Sequence, residues 1–287
     1  MVQNIIVTGS NGQLGRELQA VSNEFPSYKF HFFSRAELDI ANQEQVAKVF
    51  ENIAPHYCIN CAAYTAVDKA EGERDAAFNI NAGGARNLAA ACTQHKAGFI
   101  HISTDYVFDG SATSPYKETH PTNPLGVYGA SKLKGEENVF EANPESIIIR
   151  TSWVYSVYGS NFVKTMVRLM KDKPTLNVVA DQWGCPTSAA DLATAIMMVI
   201  PHATWTPGIY NFSNEGVINW FQFAEAIRDH IMSPCIVYPI PTTQYPTPAA
   251  RPKYSVLDCQ KIKDTFGIQA TPWQSSLKIC LDSLEAV

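Results

Sequence analysis

The chain has no excess of positive charge, no long hydrophobic run and no paired set of cysteines, and each absence narrows what it can be. Its 22 lysines and arginines are outnumbered by 27 aspartates and glutamates, for a formal net charge of −5. That field offers no attraction to nucleic acid or to an anionic membrane. An anionic nucleotide would have to be held by local positive charge or by helix N-termini. The longest apolar stretch, around Leu192–Ile200, is far shorter than the roughly 20 residues a bilayer crossing needs. The start, Met1-Val2-Gln3-Asn4-Ile5-Ile6, lacks the basic region of a secretory signal and runs directly into a strand pattern. A cytoplasmic protein is expected, with no membrane and no nucleic-acid partner.

Seven scattered cysteines, an odd number, argue against a disulfide framework. Cys58 and Cys61 form a CxxC, but Tyr57-Cys58-Ile59-Asn60-Cys61 reads as a buried strand. A spacing of three on a strand sends the two thiols to opposite faces, which favours packed core thiols over a redox or metal pair. The seven histidines show no HxH or HExxH spacing, and no metal site is expected.

What is present is a core and a nucleotide motif. At 287 residues and 46% hydrophobic, the chain can build one large α/β domain, or one domain with a smaller lobe. Asn4-Ile5-Ile6-Val7-Thr8 is apolar and β-branched, as a central parallel strand should be. Gly9-Ser10-Asn11-Gly12-Gln13-Leu14-Gly15 follows, then helical spacing from Arg16. Strand, glycine-rich turn and helix in that order form the context a dinucleotide motif requires. The glycines allow close backbone approach to a pyrophosphate, and the helix N-terminus supplies N–H groups. The second strand, Lys29–Phe33, ends in Ser34-Arg35. An NAD site has an acidic residue there, whereas a hydroxyl and a guanidinium suit a 2′-phosphate, so NADPH is favoured over NADH. Asp39-Ile40 can line the adenine pocket or cap the next helix. Ala62, Ala63 and Tyr64, at the end of the third strand, are placed for close approach to a cofactor or for tight packing.

Phe99-Ile100-His101-Ile102 reads as the fourth strand, followed by Ser103-Thr104-Asp105-Tyr106. Downstream, Tyr128-Gly129-Ala130-Ser131-Lys132 spaces a phenol and an amine four residues apart, on one face of a helix. Beyond Tyr155 the strand–helix alternation loosens and prolines increase, with a rigid proline-rich loop over Pro239–Pro252. A doubly wound parallel sheet of Rossmann type is expected. Residues 1–155 would form mainly the NAD(P)-binding domain, and 156–287 mainly a smaller α/β substrate lobe with some segments returning to the first.

These motifs resemble the extended short-chain dehydrogenase/reductase superfamily and, within it, the dTDP-4-dehydrorhamnose reductase family. The resemblance spans nearly the whole chain. It rests on Thr8–Gly15, Cys61–Glu71, Ser103–Gly110, Tyr128–Lys132, Arg150–Tyr155, Gly184–Thr187 and Pro246–Pro252. Ser156 departs from the small glycine or alanine more usual there. The resemblance implies NAD(P)H-dependent reduction of the C4 keto group of a dTDP-6-deoxyhexulose, feeding synthesis of rhamnose-containing polysaccharides. Tyr128 would be the proton donor, Lys132 would stabilise its anion and hold the nicotinamide ribose, and Thr104 would orient the carbonyl. Asp105, Tyr106, Trp153 and Arg251 fall at substrate-contacting positions. Related dehydratases carry Thr-Asp-Glu where this chain has Thr104-Asp105-Tyr106, and a phenol cannot replace the carboxylate base that dehydration needs. Another nucleotide-sugar ketoreductase or epimerase, or a non-catalytic NADP-binding regulatory subunit, is the alternative. A homodimer stays open.

Overall fold

The computed structural model describes residues 2–285. Six parallel strands form its central sheet: β1 (Gln3–Thr8), β2 (Tyr28–Phe33), β3 (Tyr57–Asn60), β4 (Gly98–Thr104), β5 (Ile147–Thr151) and the edge strand Gly208–Asn211. Their spatial order is β2, β1, β3, β4, β5 and then Gly208–Asn211. The order reverses between β1 and β3, and a crevice beyond the carboxyl ends of strands at such a switch point is where open α/β sheets bind ligands.

Strand residues alternate between two cores. Ile5, Val7, Ile59, Ile100, Ile147 and Ile149 face one side, where Gln13–Val21 (α1) and Ala189–Val199 pack. Ile6, Cys58, Phe99 and Ile148 face the other, under Gln43–Ile53 (α2), Ala85–His95 and Val127–Ala142. Period two along each strand therefore produces a sheet buried on both faces. Cys58 lies in the second of these cores and Cys61 packs against the first. All seven cysteines are free.

A further core gathers Tyr155, Val163, Met166, Phe223, Ile227, Trp273 and Leu277 from later in the chain. It lies around the paired strands Thr175–Val179 and Ile236–Ile240. The C-terminal half does not stay apart, because the edge strand of the central sheet and the Ala189–Val199 helix both come from it. Among the described residues no helix is long and apolar enough to cross a membrane. No group of three or more His, Cys, Asp or Glu side chains among them could hold a metal ion.

Between Val67 and His95 the chain is helical in four pieces: Val67–Ala70, Arg74–Phe78, a π-helical segment Asn79–Gly84, and Ala85–His95. Gly72 ends the first piece, and Gly83-Gly84 tolerate the widened turn of the third. A short helix over Gln260–Phe266 carries too few residues for its period to stand out in the sequence.

The Val127–Ala142 helix buries charge against the sheet. Arg150 on β5 donates to both oxygens of Glu136, from Nε at 2.9 Å and Nη2 at 2.6 Å, and both side chains are 3% exposed. Removing one partner of such a pair strands the other charge in the interior. Arg150→Met is expected to cost about 3–5 kcal/mol of stability in a urea titration. Arg86→Ala, which removes the exposed 3.9 Å pair with Glu141, should leave the midpoint unchanged.

Candidate active site

Two backbone demands shape the dinucleotide turn. Gly9 has φ +67°, and a Cβ there would lie 2.6 Å from the Ala62 nitrogen, so the β1 turn and the segment after β3 touch backbone to backbone. A Cβ on Gly15 would meet the Gly9 oxygen at 2.5 Å, which seats α1 directly on the turn. No side chain caps α1, so its first N–H groups are left for an anion at the switch point. Gly12 and Asn11 are exposed beside it. This cradle fits a pyrophosphate. The side chains of the next two residues serve packing instead: Leu14 enters the core, and Gln13 donates to Val154 O and accepts from Asn161.

At the end of β2 the Ser34 hydroxyl and N–H both donate to one oxygen of Glu37, at 2.7 and 2.8 Å. Those bonds hold the Glu37 carboxyl below its ordinary range. Arg35 is exposed. Asp39 accepts from the Ala41 N–H, and Asn42, not Asp39, caps α2 by accepting from Gln45. Ile40 is buried against Gly84, and Asn87 fixes this segment by donating to the carbonyls of Ile40 and Ala41. Ala62 donates its N–H to Asn60 Oδ1.

Asn81, buried in the π-helical turn, accepts from Tyr64 N and donates to Tyr64 O and to Ser131 Oγ. It thereby joins the Ala62–Tyr64 segment to the helix that carries Tyr128. The sequence carries no signal for the roles of Asn81 and Asn87, since each acts on a backbone far away in the chain. Glu71 is another such residue. It accepts from the Val127 N–H at 2.8 Å and places a negative charge at the start of the Val127–Ala142 helix, where the helix dipole favours it.

The titratable side chains of the candidate site lie where β4 and that helix meet. Thr104 closes β4, accepts from Tyr106 N–H and donates to Asp105 Oδ1 at 3.1 Å. Burial pushes the Asp105 carboxyl up to about 6, against the pull of the Ser255 and Thr104 hydroxyls. Tyr106 and Tyr128 meet edge to face with centroids 5.6 Å apart. A side chain on Gly129 would collide with the Tyr106 carbonyl, so glycine is what lets the helix settle on this turn. Burial pushes the Tyr128 phenol up to about 12, with the facing Thr104 hydroxyl lowering it and Asp105 raising it. Lys132 is buried one turn further on and donates to Ile102 O at 2.6 Å. Burial brings its ammonium down to about 8, opposed by Glu136.

Arg251 reaches this cluster from the proline-rich segment, but its guanidinium is engaged. Nη2 and Nη1 donate to the two oxygens of Asp68, at 2.9 and 3.1 Å. Asp68 also accepts from the Ala249 N–H, so the pair straps that segment to the Val67–Ala70 helix. Trp153 follows β5, whose Thr151 is in register with Thr104. Its φ is +48°, and one indole face is covered by Trp220 in a 3.5 Å stack. Gly184 packs so closely on that indole that a Cβ would not fit.

The arrangement combines an anion cradle, a phenol one helical turn from a buried amine, and a threonine hydroxyl at the same strand end. It can deliver a proton to an oxygen beside a dinucleotide. Sequence comparison agrees with the geometry. The family model described as RmlD substrate binding domain matches residues 3–286. A dTDP-4-dehydrorhamnose reductase of Aggregatibacter actinomycetemcomitans is 42% identical over 284 residues, covering 96% of this chain and 97% of the relative. The crystal structure of a dTDP-4-dehydrorhamnose reductase from Clostridium acetobutylicum ATCC 824 superposes with a TM-score of 0.95 at 42% identity, covering 98% of this chain and 99% of that one. That of the Bacillus anthracis str. Ames enzyme, in complex with NADP, gives 0.94 at 44% identity, with 99% and 100% covered. By sequence and by fold, the chain belongs to the dTDP-4-dehydrorhamnose reductase family.

Proposed function

We propose that this chain reduces the C4 keto group of dTDP-6-deoxy-L-lyxo-4-hexulose to give dTDP-L-rhamnose for polysaccharide synthesis, using NADPH, with NADH as the competing donor. The observation that carries the reading is Thr104, Tyr128 and Lys132 gathered at the end of β4, beyond the turn at Gly9–Gly15. Residues 1–155 would form mainly the cofactor side of the site and residues 156–287 mainly the substrate side.

Bound NADPH would supply a hydride to the carbonyl carbon. The chain's residues would hold the carbonyl and move the proton. The Thr104 hydroxyl, now donating to Asp105, would turn to the substrate oxygen and fix it beside Tyr128. Tyr128 would protonate the alkoxide that hydride addition creates. A phenol ordinarily near pKa 10 is a poor donor unless its anion is stabilised, and the Lys132 ammonium one turn away would do that. The turn at Gly9–Gly15 and the α1 N-terminus would hold the pyrophosphate. Ser34 and Arg35 would face the 2′-phosphate once Ser34 exchanges Glu37 for it. Asp39, Ile40, Ala62, Ala63 and Tyr64 would line the adenosine side. Asp105, Tyr106, Trp153 and Arg251 would contact the nucleotide sugar, Arg251 by leaving Asp68.

Purified protein given NADPH and the dTDP-4-keto-6-deoxyhexose should oxidise the cofactor stoichiometrically. Tyr128→Phe should lose at least about a hundredfold in kcat while its dissociation constant for NADPH is unchanged. No turnover by the wild-type protein with authentic substrate would leave the regulatory-subunit reading standing.

Cofactor preference has its own test. Arg35→Ala should raise the KM for NADPH about tenfold, the worth of one charge-assisted contact, and leave the KM for NADH unchanged. Equal changes for both cofactors would remove Arg35 from the 2′-phosphate site.

Asp105 predicts the acid side of the pH profile. Its folded-state pKa is raised to about 6, so the hydrogen-bond-accepting carboxylate is present above that pH and lost as pH falls through it. Below about pH 6, kcat/KM should fall roughly tenfold per unit. Asp105→Asn should flatten that limb, as measured by initial rates from pH 5 to 8.

A further inference from the structure

His101 is 1% exposed on β4, behind the site, and no step above uses it. Its surroundings fix its protonation. The Ala62 N–H can only donate, and it lies 3.1 Å from Asn60 Oδ1, which also takes the Thr8 hydroxyl at 2.7 Å. That atom is therefore the amide oxygen, and the other amide atom, 2.9 Å from His101 Nδ1, is the NH2. A donor facing Nδ1 makes Nδ1 an acceptor, so the ring proton sits on Nε2. Nε2 in turn lies 3.4 Å from Lys132 Nζ. Burial, with the nearby Lys132 charge, keeps the imidazole from protonating.

Lys132 is thus caught between unlike neighbours. The Ile102 carbonyl accepts from it at 2.6 Å, which either form of the amine allows. The Nε2–H of His101 points a donor at it, which only a neutral amine with a free lone pair can accept. The other ionisable groups around Lys132 are Tyr128 and Glu136 on its own helix, Cys61 after β3 and, behind Glu136, Arg150 on β5. Glu136 draws Lys132 toward the ammonium, but its oxygens already take two bonds from Arg150 and one from Ser103. The Cys61 thiol is held neutral by burial.

We propose that His101 is a positioning residue for the reaction. Locked by Thr8 and Asn60 as the Nε2–H tautomer, it points a donor at Lys132 and so favours the neutral amine over the ammonium. The geometry stands on its own; the consequence for rate rests on Lys132 acting with Tyr128 in the ketoreduction proposed above. Reduction requires the Tyr128–Lys132 pair to hold its protons, so its alkaline limb reports the first proton lost from the pair, taken as a unit. Without the His101 donor the ammonium is held more firmly and that limb moves upward.

Nitrogen NMR on unliganded protein with isotope-labelled histidine, assigned by the signal missing from His101→Leu, reads the tautomer without any substrate. A pyrrole-type Nε2 and a pyridine-type Nδ1, unchanged between about pH 6 and 9, are expected for a ring whose ordinary pKa is near 6.5. A proton on Nδ1, or titration in that range, overturns the proposal even if the enzyme proves to use another substrate. In the NADPH-linked assay, His101→Leu should move the alkaline limb of kcat up by about one pH unit. Asn60→Ala, which frees Nδ1 and releases the tautomer, should move it the same way. A uniform loss of rate with the limb in place would show a structural role only, and would equally overturn it.

Discussion

A lysine, a glutamate and an arginine are buried together between one helix and the sheet, and the site depends on how that charge is neutralised. Bare charges in a protein interior cost several kcal/mol each. Here Glu136 takes both ends of the Arg150 fork and the Ser103 hydroxyl, while Arg150 also donates to Glu118 O and lies over the Phe108 ring. The cluster is satisfied by partners on three elements, so the helix cannot rotate or slide without breaking it. Tyr128 and Lys132 sit on that same helix. The placement of Tyr128 and Lys132 is thus set by a network two turns away from the phenol.

Close approach makes the network reachable. Gly129 rests on the Tyr106 carbonyl and Gly135 on the Asn81 carbonyl, so the helix lies nearer its neighbours than side chains would permit. Asn81 then bonds Ser131 from the π-helical turn. The glycines act through backbone geometry, and Asn81 and Ser131 through a side-chain bond. The low amphipathicity of the helix follows, since its inner face must carry Tyr128, Lys132 and Glu136 along with small residues.

These contacts separate what is legible in the sequence from what is not. The parallel sheet, the Gly9–Gly15 turn and the Tyr128–Lys132 spacing are local patterns, and the structure reproduces each of them. Thr104 is readable because a hydroxyl just past an apolar strand falls at the ligand-binding edge. Asn60, Asn81, Asn87 and Glu71 are not readable, because each acts on backbone or side chains that only the fold brings near. Glu37 carries no signal of its own in the sequence, yet it holds Ser34, the group on which the cofactor reading leans. Trp153 is singled out in the sequence by resemblance alone. Its positive φ and its stack on Trp220 require a partner 67 positions away that no local pattern indicates.

The ties between the two halves of the chain decide where the crevice can open. Gln13, in the first turn of α1, bonds Val154 and Asn161. Glu17, one helical turn later, accepts from the Ser156 hydroxyl at 2.5 Å, and Ser156 itself accepts from Tyr158 N–H. The Ser156 hydroxyl gives the buried Glu17 carboxyl a donor that glycine or alanine could not supply. On the opposite side of the crevice Asp68 grips Arg251 and Ala249. The first set joins the dinucleotide turn to the segment after Trp153, and of its bonds the one between Ser156 and Glu17 is buried. The second is partly exposed and bridges a short helix to a proline-stiffened loop. A buried hydrogen bond is costly to open, whereas a partly exposed ion pair can exchange its partner for water. Separating the second set therefore costs less than breaking the Ser156–Glu17 bond of the first.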